Sequence, residues 1–166
     1  QLLTNRTHNL DNRLNEMALK AGNLVTVGAG GDYPSINAAL SDLSERRPAY
    51  APGGFMTEIR LLSGFIMAEQ VLVSGINLGW MTITGEDAEH FIDRSYLTQQ
   101  FGLRYPAFGV LDGGFLPTIN CLFTMMQNGD GTDRSGVMAG NSGGARVMTD
   151  AGVRNAGGNG ADVYAA

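Results

Sequence analysis

Four aspartates in the second half of the chain, Asp112, Asp130, Asp133 and Asp150, are the residues whose type suits chemistry on a polymeric sugar. Glycosidases hold two carboxyls across the scissile bond. A lyase acting on uronates sets a base beside arginine or calcium; Arg134, Arg146 and Arg154 are present, without a cluster of calcium ligands around them. Local composition argues against both chemistries. Asp130 and Asp133 lie within "QNGDGTDRSG" and Asp112 precedes Gly113 and Gly114, contexts in which aspartate caps the N–H groups of turns. No residue is assigned a catalytic role, and the chain is expected to connect and present rather than to cleave.

A second candidate is "VTVGAGGDYPSINAALSDL", residues 25–43. Gly28, Gly30 and Gly31 approach the spacing of a phosphate loop, but Tyr33 stands where the last glycine of a dinucleotide fingerprint falls, and no Gly-Lys-Ser/Thr follows. The glycines are expected to turn the chain, and no cofactor is implied. His8 falls at an outward heptad position and His90 in the polar run "EDAEH"; both are expected in solvent, with no metal site. Trp80, Tyr96, Tyr105 and Phe108 suit either a shelf that stacks on sugars or a core, and the core is the expectation. Cys121, the single cysteine, excludes an intrachain disulfide and reads as a small buried hydrophobe.

The 166 residues, 43% of them hydrophobic, suffice for one domain with a real core. Net charge is −5 with Lys20 as the single lysine, which leaves no basic stripe for a nucleic-acid backbone. No apolar run is long enough to span a bilayer, and the first residues lack the apolar core of a signal peptide. Glycine is about twice as frequent as usual, and ten of the 24 glycines lie in residues 127–166. The chain opens on Gln1 and stops at Ala166 within a periodic segment, so a piece of a longer polypeptide is expected.

Three regions must position these residues. Residues 1–22 carry a heptad pattern with Leu3, Leu10 and Met17 at d, Thr7, Leu14 and Ala21 at a, Arg6, Arg13 and Lys20 at g and Asp11 at e, which predicts a self-associating helix. Residues 23–54 begin with the alternating strand Leu24-Val25-Thr26-Val27, turn at the glycines, and continue into a helix whose apolar face is Ile36, Ala39, Leu40 and Leu43. The run "RRPAYAPGG" then breaks regular structure.

Residues 55–166 read as strand after strand. "EIRLLSG", "QVLVSG" and "WMTITGED" each end on glycine or a polar turn, with Ile59/Leu61, Val71/Val73 and Met81/Ile83 at period two. Nothing after Ala68 reads as a long helix. Val110, Val137 and Val163 head repeated phrases 27 and 26 residues apart, and Ile119 and Val147 fall at corresponding points between them. A strand-rich, glycine-punctuated period in the twenties predicts a β-solenoid with those three valines in one inward column; a β-sandwich would show closer and more even hairpin turns.

Val25, Val27, Gly28, Gly30, Gly31, Asp32, Tyr33, Ser35, Ile36, Ala39 and Leu40 fit the phrase V-x-V-G-x-G-G-D-[FY]-x-[ST]-I-x-x-A-[IL], and the segment resembles the entrance of pectin-lyase-like right-handed β-helices. Leu3-Thr4-Asn5-Arg6-Thr7, with Leu10, Arg13 and Leu14, is similar to a helix near the front of many bacteriophage tail-fibre and tailspike chains. The resemblance implies a mainly β homotrimer: a coiled-coil attachment helix over 1–22, a strand, glycine turn and capping helix over 23–54, and right-handed parallel β-helix coils over 55–166.

The function so implied is that of a virion tail-fibre or tailspike structural protein. It would be assembled in the host cytoplasm and extracellular in the released particle. Its partners would be itself, tail-tip or baseplate hub proteins and, through a distal region, a host cell-surface glycan, with no nucleic acid and no membrane insertion. A polysaccharide-degrading β-helix enzyme, hydrolase or lyase, and a bacterial surface adhesin are the alternatives.

Overall fold

In the computed structural model the described residues are 18–19, 23–48, 57–100, 105–126, 134–156 and 161–164. Along the chain these form β1 (Ala18–Leu19), β2 (Leu24–Val27), α1 (Ile36–Ser44), β3 (Arg47–Pro48), β4 (Thr57–Leu61), β5 (Ile66–Met67) and β6 (Val71–Ser74). There follow β7 (Met81–Gly85), β8 (His90–Ile92), a 3-10 turn at Arg94–Tyr96, β9 (Tyr105–Leu111), β10 (Thr118–Ile119), β11 (Leu122–Met125), β12 (Arg134–Gly140), β13 (Gly152–Arg154) and β14 (Ala161–Tyr164).

The protein is mainly β, and every ladder among the described strands is parallel. Three sheets have four strands each: β2-β4-β7-β10 (sheet I), β5-β8-β11-β13 (sheet II) and β6-β9-β12-β14 (sheet III). From β4 to β12, consecutive strands enter sheets I, II and III in rotation; after β12 the bridge at Val147 takes the sheet I position and β13 and β14 join sheets II and III, so each return to a sheet adds a parallel neighbour about 4.8 Å from the last. The hairpins of a sandwich are absent among the described strands.

Period-two sequences make the core continuous. Val25, Ile59, Ile83 and Ile119 are register partners in sheet I, all buried, and the ladder extends from Ile119 to Val147, the two residues expected to correspond. Met67, Ile92 and Met125 form a buried column in sheet II. In sheet III, Val71, Phe108 and Val137 form one column, while Val73, Val110, Ala139 and Val163 form the next. The expectation of Val110, Val137 and Val163 in a single column is therefore corrected at Val137. Register follows the backbone ladder and the turns closing each strand, so Leu111-Asp112-Gly113 aligns with Gly140-Asn141-Ser142, and the valine phrase in β12 stands one inward position early.

The glycine cluster turns the chain. Gly28 N–H donates to the Tyr33 carbonyl and Gly31 N–H to the Gly28 carbonyl, both at 3.0 Å, so these amides are consumed internally. Gly28 and Gly30 take φ of 134° and 80°, a region that L side chains resist. Asp32 closes the loop by accepting from Thr26 N–H and Oγ1, each at 2.8 Å.

Helix α1 begins at Ser35, whose Oγ accepts from Ala38 N–H at 3.1 Å. It buries Ile36, Ala39, Leu40 and Leu43, the expected apolar face. Glu69 fixes its first turn from outside: one carboxylate oxygen accepts from Ile36 N–H at 2.6 Å and the other from Asn37 N–H at 2.9 Å. With Asn37 Nδ2 donating to the Gln70 carbonyl at 2.9 Å, the helix lies beside β6, the outermost strand of sheet III. A helix standing beside a sheet edge hinders pairing with another chain.

Two expectations near the front change. Ala18–Leu19 are extended and pair in parallel with Arg47–Pro48, so helix does not hold at those two residues and regular structure does reach Pro48. A proline is compatible with a strand at an edge, where no ladder N–H is required of it. The seam positions Leu3, Thr7, Leu10, Leu14, Met17 and Ala21 lie outside the described residues.

Candidate functional site

The corner where the chain leaves sheet III for sheet I recurs three times, at Asn77, Phe115 and Gly144, which pair in parallel as bridges outside the named strands. Phe115 N–H donates to the Ile76 carbonyl and Leu78 N–H to the Phe115 carbonyl, at 2.9 and 2.8 Å; Gly144 and Leu116 continue the ladder. Stacked corners of this kind hold side chains of successive turns side by side.

Phe115 occupies a slot made by two glycines. A Cβ on Gly79 would stand 2.8 Å from Phe115 Cδ1, and one on Gly144 would stand 2.4 Å from Phe115 Cε2. Beside this ring lie Asn77, Trp80 and Arg146, and together they line an open groove of about 370 Å³. Trp80 also packs against the core. Asn77 Oδ1 accepts from Gly79 N–H at 2.9 Å. Arg146 is exposed and forms no ion pair among the described residues. An aromatic floor with donor groups at its rim is suited to holding a ligand; the described residues lining it include no carboxylate.

The remaining candidates scatter. Asp112 takes φ of 51° in the turn after β9 and accepts from Ser74 Oγ at 2.7 Å and Asn141 Nδ2 at 3.1 Å. These hydrogen bonds, the Ser74 one foremost, hold its carboxyl below the usual range; it ties three successive turns together. Asp150 likewise takes a left-handed turn conformation, with φ of 60°. Asp130 and Asp133 lie outside the described residues, as does His8. Arg134 stacks over the Tyr105 ring at 4.8 Å, and Arg154 is exposed on β13.

Of the four aromatics expected in the core, Phe108 is fully buried and packs on Phe123 with ring centroids 5.2 Å apart. Trp80 and Tyr105 are half-buried against the core, and Tyr96 is exposed. Cys121 is buried, and burial pushes its thiol up to about 12.

His90 is not in solvent. It is 1% exposed, lies between Phe65 and Phe123, and its Nε2 has no hydrogen-bond partner among the described residues. The polar run before it ends where β8 begins, and strand parity turns His90 and Ile92 inward while Phe91 faces out. The groove itself was visible in the sequence only as Trp80 and Arg146; Phe115, Asn77 and the two glycines carried no spacing signal that would join them.

Among the described residues, no group of three or more His, Cys, Asp or Glu is placed to hold a metal, and no helix is long and apolar enough to cross a membrane. Compared with known proteins, the chain matches no family model and no curated sequence.

Proposed function

We propose that this chain is a structural segment of a bacteriophage tail fibre or tailspike: a right-handed parallel β-helix, covered at its front by α1, that links a trimeric attachment region to a distal receptor-binding region. The observation that carries the reading is the rotation of consecutive strands through three all-parallel sheets. A chain wound this way buries a core without limit of length along one axis and makes a stiff spacer. Right-handedness follows from the strong preference of parallel strand connections for that hand. The tail-fibre-like phrase Leu3-Thr4-Asn5-Arg6-Thr7 supplies the virion and the three-fold assembly.

The turn-capping role of Asp112 supports presentation over cleavage, since its two oxygens are engaged by Ser74 and Asn141. Immunogold labelling of released particles with antibody to the fragment tests the assignment, with gold expected on the tail. Labelling confined to the bacterial surface would replace it with the adhesin reading. New reducing ends or unsaturated uronates from capsular polysaccharide or lipopolysaccharide, lost in Asp112→Asn or Asp150→Asn, would replace it with the enzyme reading.

A further inference from the structure

At the stacked corners where the chain passes from sheet I to sheet II, we infer that His90 Nε2 and the Cys121 sulfur together bind one soft monovalent metal ion of the copper(I) class. The inference stands on these side chains and does not need the virion assignment.

The two side chains border one space. A Cβ on Gly85 would stand 2.3 Å from His90 Nε2 and 3.4 Å from Cys121 Cβ, so the missing side chain of Gly85 lets the tip of the imidazole reach the stem of the thiol. His90 is 1% exposed, and its Nε2 is without a hydrogen-bond partner among the described residues. A buried nitrogen left in that condition costs stability. An ion that takes up its lone pair removes the cost.

The other face of the ring is already set for coordination. His90 Nδ1 lies 3.4 Å from the Phe65 carbonyl oxygen. A carbonyl can only accept, so the ring proton belongs on Nδ1 and Nε2 carries the free lone pair. Histidines that bind metals share this arrangement: the second nitrogen donates to a carbonyl or carboxylate, which fixes the tautomer and the ring orientation. The Phe65 and Phe123 rings, with centroids 6.3 and 6.2 Å from that of His90, hold it in place and make the surroundings apolar.

Three properties select the ion. Thiolate is a soft ligand that favours copper(I). Structural zinc takes four ligands, whereas no group of three or more His, Cys, Asp or Glu is placed to hold a metal among the described residues; a two-coordinate ion needs only this pair. Charge decides between oxidation states, because one thiolate neutralises one positive charge, while a divalent ion would leave a net charge in an apolar site at high cost.

Burial pushes the Cys121 thiol up to about 12, so the sulfur is protonated until the ion arrives. On binding, the S–H bond breaks, its proton leaves to solvent, and bonds from the ion to sulfur and to Nε2 form with no change of oxidation state. One proton is therefore released for each ion bound.

The full chain is titrated without oxygen, with copper(I) supplied as its acetonitrile complex and, separately, with zinc(II). One copper(I) bound per chain at micromolar concentration, with release of one proton and a raised thermal midpoint, is expected. X-ray absorption at the copper edge should show one nitrogen and one sulfur. Cys121→Ala and His90→Phe should each weaken binding by about 100-fold or more, at least the loss caused by removing a partner that touches a metal only through its ligand. The absorption spectrum of the parent keeps the test decisive where either variant folds poorly. No binding at micromolar copper(I), a copper shell lacking either the nitrogen or the sulfur, or zinc(II) held as tightly as copper(I) would overturn the proposal.

Discussion

Gly85 and His90 share one space: a Cβ built on Gly85 would stand 2.3 Å from His90 Nε2. Gly85 is the register partner of Leu61 in sheet I, so the inward column that runs through Leu61 loses its side chain one strand later. The His90 ring, arriving from the neighbouring sheet, takes that place against Phe65 and Phe123. Gly85→Ala is expected to destabilise the fold by about 1–3 kcal/mol, the usual cost of overpacking. In the Gly85→Ala/His90→Ala pair the loss should fall well short of the sum of the singles, as befits residues in direct contact. Urea unfolding of the four proteins measures this, and strict additivity would show that the two side chains do not compete.

Glu69 acts at a distance in sequence on the first turn of α1. Its two oxygens serve the Ile36 and Asn37 amides, groups without partners inside the helix, and its charge faces the positive end of the helix. Glu69→Ala is expected to cost about 1 kcal/mol, in the range of a lost cap, and to speed hydrogen exchange at Ile36 and Asn37 more than at β9 or β12. Uniform acceleration throughout would mean that the contact does not act locally.

Stability should fall at both extremes of pH. Hydrogen bonds lower the carboxyls of Asp32 (Thr26 amide foremost), Asp87 (Gly64 amide), Asp93 (Ser95 hydroxyl), Asp112 (Ser74 hydroxyl) and Glu58 (Thr84 hydroxyl). A group lowered on folding stabilises above its unfolded value, about 4, and that contribution is lost as pH falls through the folded value.

At the alkaline end, burial and then the hydrogen bond to Asp42 push the Tyr33 phenol up to about 12. Its contribution is present below about pH 10 and lost as pH rises toward the folded value. Denaturation midpoints should therefore decline below about pH 4 and above about pH 10, with a shallower acid decline in Asp112→Asn. A midpoint unchanged between pH 6 and pH 3 would contradict the acid half of the prediction.

Trimerisation is expected to reside in the heptad positions ahead of Ala18. Replacing Leu10 and Leu14 by aspartate should shift sedimentation from trimer toward monomer at micromolar concentration, with the β circular-dichroism signal largely kept, because two charges in an apolar seam oppose association without touching the sheets. A parent protein that sediments as a clean monomer would remove the trimer from the proposal.

Local patterns in the sequence determined the strand-rich character, the glycine turn at residues 28–31 and the buried face of α1, because periods of two and of 3.6 are written in neighbouring residues. They also anticipated the correspondence of Ile119 and Val147. Tertiary structure decided what depends on parity and on register between distant strands. His90 looks solvated beside Glu86, Asp87 and Glu89, and only the inward phase of Ile92 turns it into the core. Val137 looks equivalent to Val110, and only the hydrogen-bond ladder hands that position to Ala139. The groove of Asn77, Trp80, Phe115 and Arg146 belongs to the same class, since its residues sit on three turns of the chain and no local rule relates them. A slip of one residue reverses a strand's faces and a slip of two leaves them unchanged, so neighbouring residues fix a strand's alternation while only pairing with another strand fixes its place.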